Sequence, residues 1–259
     1  MEQLFGLALG IVSPWKITGV KFSQSEGEFR GLVEISIDFD RGARFVEGSG
    51  VSCAVHDTVR RSWRHLDFFQ HKCLLNARVP RIRTSGGDVH TVEVPWARPG
   101  SSFTLHFEAC GMLMIRNGMP VSSVAEVLGI YDNRVWRFFN HWVEVAREKQ
   151  GLTTVKPVGV DMDTRKVTGV VEGKGATTVA GIEERIAGKG GKPGKMRNVS
   201  MDISPSFISG LDNGVTEDIR NKIQLAKRRA KGYRNPKNFQ NMIHLIAGDL
   251  IFDHPLLRT

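Results

Sequence analysis

Residues 213–235 read NGVTEDIRNKIQLAKRRAKGYRN, and this stretch decides how the rest of the chain is taken. Ile219, Ile223 and Ala226 recur at the spacing of one helical face, which predicts a helix with a single buried stripe. Glu217 is expected on its first turn, where the helix dipole favours a carboxylate. Arg220, Lys222, Lys227, Arg228, Arg229, Lys231, Arg234 and Lys237 make the remainder cationic, and after Asp218 no acid returns before Asp249. Two readings are open. One is a solvated basic surface helix. The other is a carboxylate held beside a path for a polyanion, as metal-dependent DNA chemistry requires.

The 259 residues have room for one large domain or two to three small ones, and an apolar share of 41% supports real cores. A net charge of +9 favours an anionic partner, nucleic acid before membrane. No apolar run approaches the roughly 20 residues that span a bilayer, so no membrane partner is expected. Residues 1–12 carry Glu2 and no basic flank, unlike a signal peptide. Cys53, Cys73 and Cys110 are odd in number and widely spaced, which fits reduced thiols in a cytoplasmic protein.

Outward from the basic helix, the chain alternates strand and helix signals. Residues 15–22 and 31–39 read as a hairpin, with Val33, Ile35, Ile37 and Phe39 alternating against polar neighbours. Residues 60–83 mix Arg60, Arg61, Arg64, Lys72, Arg78, Arg81 and Arg83 with Trp63, Phe68 and Phe69. That mixture fits a DNA-facing surface or a β module with guarded edges. VPWARPGSSFT, residues 94–104, reads as a linker into a helix over 102–117 capped by Ser101 or Ser102. MPVSSVAEVLGIYDNRVWRFFNHWV then has the layout of a helix-turn-helix: a short helix over 121–128, Gly129 as the turn, and Asp132 capping a helix over 133–148. Val124, Ala125, Leu128 and Ile130 are expected to pack the turn, with Val135, Trp136, Phe139 and Val143 anchoring the second helix. Tyr131, Asn133, Arg134, Arg137 and Asn140 would form its exposed front, where a recognition helix meets the major groove. A three-helix packing unit without DNA contact has the same pattern. Further on, VGVD ends a strand in Asp161, residues 177–187 read as a crossover helix, and VSMD ends a strand in Asp202.

NGV-x-E followed by KRRA-x-GYRN resembles the C-terminal end of bacterial DDE transposases, nearest to the insertion-sequence family designated ISL-three. PWKITGVKF, GARF and VSMD-x-SP-x-F match further parts of that family's pattern. The resemblance implies an α+β chain in three parts. Residues 1–100 would form an N-terminal β-hairpin and degenerate zinc-ribbon-like module, 101–150 a central helix-turn-helix, and 151–259 a truncated C-terminal RNase H-like α/β domain. It also implies DNA transposition as the function, with Asp161, Asp202 and Glu217 as catalytic residues and metal ligands for Mg2+ or Mn2+ in phosphodiester cleavage and strand transfer. Lys227, Arg228, Arg229, Lys231 and Arg234 would join the helix-turn-helix residues in binding DNA at the terminal inverted repeats. Further implied partners are a second copy or a full-length transposase, and the implied location is bacterial, cytoplasmic and nucleoid-associated.

The chain departs from the family in three places. Val46, Ser49, Thr84 and Gly87 stand near the positions of the family's two Cys-x-x-Cys pairs, so no zinc is expected. VGVD runs straight into MDTRKV, as though two strands had been fused by a deletion, which leaves open whether Asp161 corresponds to the first or second strand. Only six residues separate Phe207 from Gly214, too few for a further strand and insertion domain. These deletions would impair catalysis, and they favour a second reading as a non-catalytic DNA-binding remnant or a decayed product.

Overall fold

The computed structural model describes residues 2–27, 29–46, 50–84, 86–149, 160–161, 166–167, 184, 187, 213–248, 250–252 and 254–256. They fall into two compact units, Met1–Cys110 and Gly111–Thr259.

The first unit is a short helix, α1 (Glu2–Leu9), and a six-stranded sheet. The expected hairpin is present as β1 (Trp15–Ser23) paired antiparallel with β2 (Leu32–Phe39). In β2 every second residue is buried, and Val33, Ile35, Ile37 and Phe39 enter the core as their alternation predicts. β3 (Arg44–Val46), β4 (Ser52–Phe68), β5 (His71–Arg83) and β6 (Val89–Thr91) complete the sheet in the order β1-β2-β5-β4-β3, with β6 on β5. The basic segment 60–83 is thus one long antiparallel hairpin, and β5 pairs parallel with β2.

The stretch 94–104 is not a linker. Trp96 and Ala97 are buried, and the Trp96 ring meets Trp15 and Trp63 edge-on at 5.0 and 5.6 Å. Its Pro and Gly residues bend the chain so that an aromatic side chain can close the core. The helix α2 (Leu105–Arg116) consequently starts later than the serines suggest. Ser101 Oγ donates to Glu108 Oε1 at 2.7 Å, and Phe103 bridges to Arg64. Thr104 Oγ1 takes the capping role by accepting from the Phe107 amide at 3.3 Å.

Thr104 Oγ1 also lies 2.8 Å from His65 Nδ1. The hydroxyl donates to this nitrogen or accepts from it according to the imidazole's tautomer, and either role suits a neutral ring. Burial, with smaller contributions from His106 and Arg64, pushes its pKa down to about 4. Between about pH 6.5 and about 4 the unfolded chain binds a proton that the native chain refuses. Stability is therefore full above 6.5 and falls as the pH drops through this window. A loss on the order of 2 kcal/mol is expected between pH 7 and 4.5. Urea midpoints should trace it, and a His65→Gln variant should have the shallower pH dependence.

The second unit is helical in most of its described residues. α3 (Val121–Leu128) closes on Gly129, whose φ of 64° supplies the left-handed turn. α4 (Asp132–Lys149) buries Val135, Phe138, Phe139, Trp142, Val143 and Ala146. Phe138 and Trp142 thus hold places in the core, whereas Trp136, expected there, is only half-buried. Gly111 of α2 lets Phe138 approach: an added Cβ would sit 2.6 Å from its ring. β7 (Val160–Asp161) and β8 (Lys166–Val167) form a two-residue antiparallel ladder. α5 (Asn213–Arg229) and α6 (Pro236–Ala247) follow, with Ile219 packed on Ile243 and Ala247 and with Ile223 alongside. The stripe read from the sequence is the packing face.

Candidate nucleic-acid interface

The helix-turn-helix has the expected limits, and its front is partly open. Tyr131 (80% exposed), Asn133 and Arg137 face solvent, and Arg134 is half-buried. Asn140 differs. Its Nδ2 donates to Asn238 Oδ1 at 2.8 Å, and its Oδ1 accepts from Asn241 Nδ2 at 2.9 Å. Arg147 Nη1 donates to Asn241 Oδ1 at 3.1 Å, and Lys237 Nζ lies 2.7 Å from Glu144. The C-terminal half of α4 is therefore fastened to α6 by amides. The face left for a groove is its first two turns.

Beside it, Lys227, Arg228, Arg229, Lys231 and Arg234 are all exposed. Lys231 holds a φ of 52° where α5 ends, and Gly232 and Tyr233 lead to Asn235, whose side chain caps α6 by accepting from the Lys237 amide at 2.9 Å. Arg229 Nη1 donates to the Gly118 carbonyl at 3.3 Å, which ties the basic end of α5 to the turn before α3. The sequence alone did not single out Asn238, Asn241, Tyr233 or Arg116. Two asparagines three apart on an otherwise apolar helix, PKNFQNMIHLIA, are the one signal that could have found the first pair.

Of the three carboxylates expected to be catalytic, Asp161 lies on β7 opposite Lys166. Asp202 lies outside the described residues. Glu217 is the fifth residue of α5, one turn later than expected because the helix begins at Asn213. The crossover helix over 177–187 has only Glu184 and Ala187 among the described residues, both helical.

A helix-turn-helix with a partly basic front, in one unit with an arginine-rich helix end, is the layout of a nucleic-acid-binding module. Three family models sharpen this. The helix-turn-helix domain of transposase family ISL3 matches residues 92–143, a transposase DDE model of ISL3 matches 205–243, and the zinc-finger of transposase IS204/IS1001/IS1096/IS1165 matches 49–83. The chain belongs to the ISL3 transposase family and carries a partial DDE domain. No curated protein and no solved structure matches it.

The third match corrects the expectation of no zinc: residues 49–83 are a segment of the family's zinc-finger element. The sulfur and imidazole groups of this segment are Cys53, His56, His65, His71 and Cys73. Cys73 is fully buried beside its pairing partner His65, and burial pushes its thiol up to about 11, against the thiolate that zinc needs. Val55 pairs with Ile82, nine residues along β5 from Cys73. His71 Nδ1 accepts from the Gly31 amide at 2.9 Å, and His56 pairs with Arg83 at 2.8 Å. Among the described residues no group of three His, Cys, Asp or Glu side chains could hold a metal. No described helix is long and apolar enough to cross a membrane.

Proposed function

We propose that this chain binds DNA at the ends of its insertion element, through the first two turns of α4 and the cationic end of α5. The carrying observation is that the helix-turn-helix and the exposed basic helix end belong to one unit, with Tyr131, Asn133 and Arg137 exposed on the front and Arg134 half-buried beside them. In this reading Arg134 and Arg137 reach base edges, and Lys227, Arg228, Lys231 and Arg234 neutralise phosphates. Fastening α6 to α4 gives the C-terminal segment a structural role in the binding unit, which supports the non-catalytic reading. The chain would then act beside a full-length transposase or a second copy of itself, on DNA in the bacterial cytoplasm.

Binding to a duplex carrying the element's terminal inverted repeat, against a scrambled duplex, tests the reading. The double variant Arg134→Ala/Arg137→Ala is expected to weaken specific binding by at least tenfold while non-specific binding changes little. Lys227→Ala/Arg228→Ala should weaken both and lower the salt slope by about 2. Equal affinity for both duplexes in the unaltered protein would overturn the reading.

A catalytic reading has one observation in its favour, the DDE-model match over 205–243, which includes Glu217. In it residues 151–259 are a shortened RNase H-like domain. Asp161, Asp202 and Glu217 would hold Mg2+ or Mn2+, which supplies Lewis-acid activation of a water or a DNA 3′ hydroxyl. Divalent-metal-dependent nicking of the terminal-repeat duplex, abolished by Glu217→Ala, would establish it over the first.

A further inference from the structure

The second unit contains a pocket of about 610 Å³ between the start of the helix-turn-helix and the α5–α6 turn. This lies within the ~300–1,000 Å³ of ordinary ligand sites. Its charge is one-sided. Arg116, Lys222, Arg229 and Arg234 line it, against the single acid Asp132. Lys222 is engaged with Asp218 at 2.7 Å and Arg229 spends one donor on Gly118, while the side chains of Arg116 and Arg234 are exposed. Its other wall is aromatic. Trp136 and Tyr233 meet edge-on with centroids 6.0 Å apart, and Phe239 backs Tyr233 at 5.0 Å. Burial of Tyr233 raises its phenol pKa, so the ring is a neutral hydrogen-bond donor at ordinary pH. Asn235 and Asn238 add amides that can both donate and accept.

Cations on one side and an aromatic corner on the other, where one ring face can take a stacked partner and the second ring its edge, select a ligand with an anionic group joined to a planar ring. Carboxylates and inorganic phosphate would leave the aromatic wall wet, and an apolar ligand would leave the guanidinium groups desolvated without partners. We propose that the pocket takes a nucleotide, its phosphate on Arg116 and Arg234 and its base against Tyr233 and Trp136. The source we assign is an unpaired nucleotide at a DNA end. Asp132, which lines the pocket, stands at the start of the helix whose next residues, Asn133, Arg134 and Arg137, face the duplex in the reading above. A base still stacked in a duplex cannot reach it. This inference rests on the DNA-binding reading.

The test uses the full chain and two fluorescent duplexes of one sequence, blunt or extended by three unpaired nucleotides with 2-aminopurine in the extension. About tenfold tighter binding of the extended duplex and quenching of the 2-aminopurine are expected, as base–aromatic stacking gives. Tyr233→Ala and Arg116→Ala should each remove the preference and the quenching while blunt binding is retained. Tyr233→Phe should keep both. Arg116 is an exposed helix-end residue, so its variant stays informative if Tyr233→Ala loosens the α5–α6 turn. Blunt and extended duplexes bound equally, or weakened equally by Arg116→Ala, overturn this inference and leave DNA binding standing. Free deoxyadenosine monophosphate that quenches Trp136 with no preference for the extended duplex would overturn the DNA-end source. Absence of binding to either duplex would sink both readings together.

Discussion

Glu108→Ala is expected to destabilise the first unit by about 3–5 kcal/mol, enough to unfold it at growth temperature. Glu108 is fully buried in the first turn of α2. Arg98 Nε donates to its Oε2 at 2.9 Å and Ser101 Oγ to its Oε1 at 2.7 Å. Removing the carboxylate leaves the Arg98 guanidinium, itself only 16% exposed, without its counter-charge. The Ser101 hydroxyl is also freed, and with it the turn that sets Phe103 and Trp96 in place. The cost is thus that of a charge stranded by its partner. The pair itself adds little net stability, because two desolvated ions repay little beyond their own burial. The double variant Arg98→Met/Glu108→Leu should therefore recover most of the loss. Urea unfolding of the two single variants and the double one measures this as a coupling energy. Additive losses in the double variant would mean that the carboxylate acts through the Ser101 turn alone.

What the sequence made legible here was local. The α3–Gly129–α4 unit could be read because its punctuation lies within a dozen residues: an apolar face, a glycine free to take a positive φ, and an aspartate opening the next helix. The β1–β2 hairpin was legible for the same reason. What failed depended on distant partners. The parallel pairing of β2 with β5 joins residues about forty apart, such as Val33 and Cys73, and no period or turn signal encodes it. Trp96 sits in a Pro- and Gly-rich stretch that reads as a linker, and only the Trp15 and Trp63 rings that receive it make it core. Ser101 looked like a helix cap, but its hydroxyl is committed to Glu108 and Phe103, and Thr104 caps instead. The zinc expectation failed in another way. It counted missing cysteines, whereas the family match follows the pattern of the whole 49–83 segment.

The candidate interface divides along the same line. That α4 would carry a basic front was readable from Arg134 and Arg137. That Asn140 would be withdrawn from it was not, since its partners lie about a hundred residues away on α6. The carboxylates repeat the lesson: each has a local motif, but a metal site is a statement about their separation in space, which motifs do not carry.

Asn241→Ala should cost about 3 kcal/mol in the second unit, and its effect should extend to DNA binding. Asn241 is 1% exposed, donates to Asn140 and accepts from Arg147. Its loss removes a bond to a charged group, worth roughly 1.5–3 kcal/mol, and leaves the Asn140 carbonyl without its donor from α6. Asn241→Asp separates the terms. A carboxylate keeps the Arg147 bond but turns an oxygen toward Asn140 Oδ1 and toward Glu144 Oε1, 3.5 Å from the present amide nitrogen, so its loss should be at least as large as that of alanine. Because α6 is fastened to α4 through these groups, the alanine variant should release α6 before the helix-turn-helix itself melts. Hydrogen exchange would then accelerate in 236–247 ahead of 121–146. In the proposed reading, freeing Asn140 lengthens the open face of α4 while the phosphate-binding end of α5 loses its mooring. Affinity for the terminal repeat should fall several-fold, with a shallower salt slope as the basic contacts are lost. Unchanged affinity together with faster exchange in α6 would show that the C-terminal helices stabilise the fold without taking part in the interface.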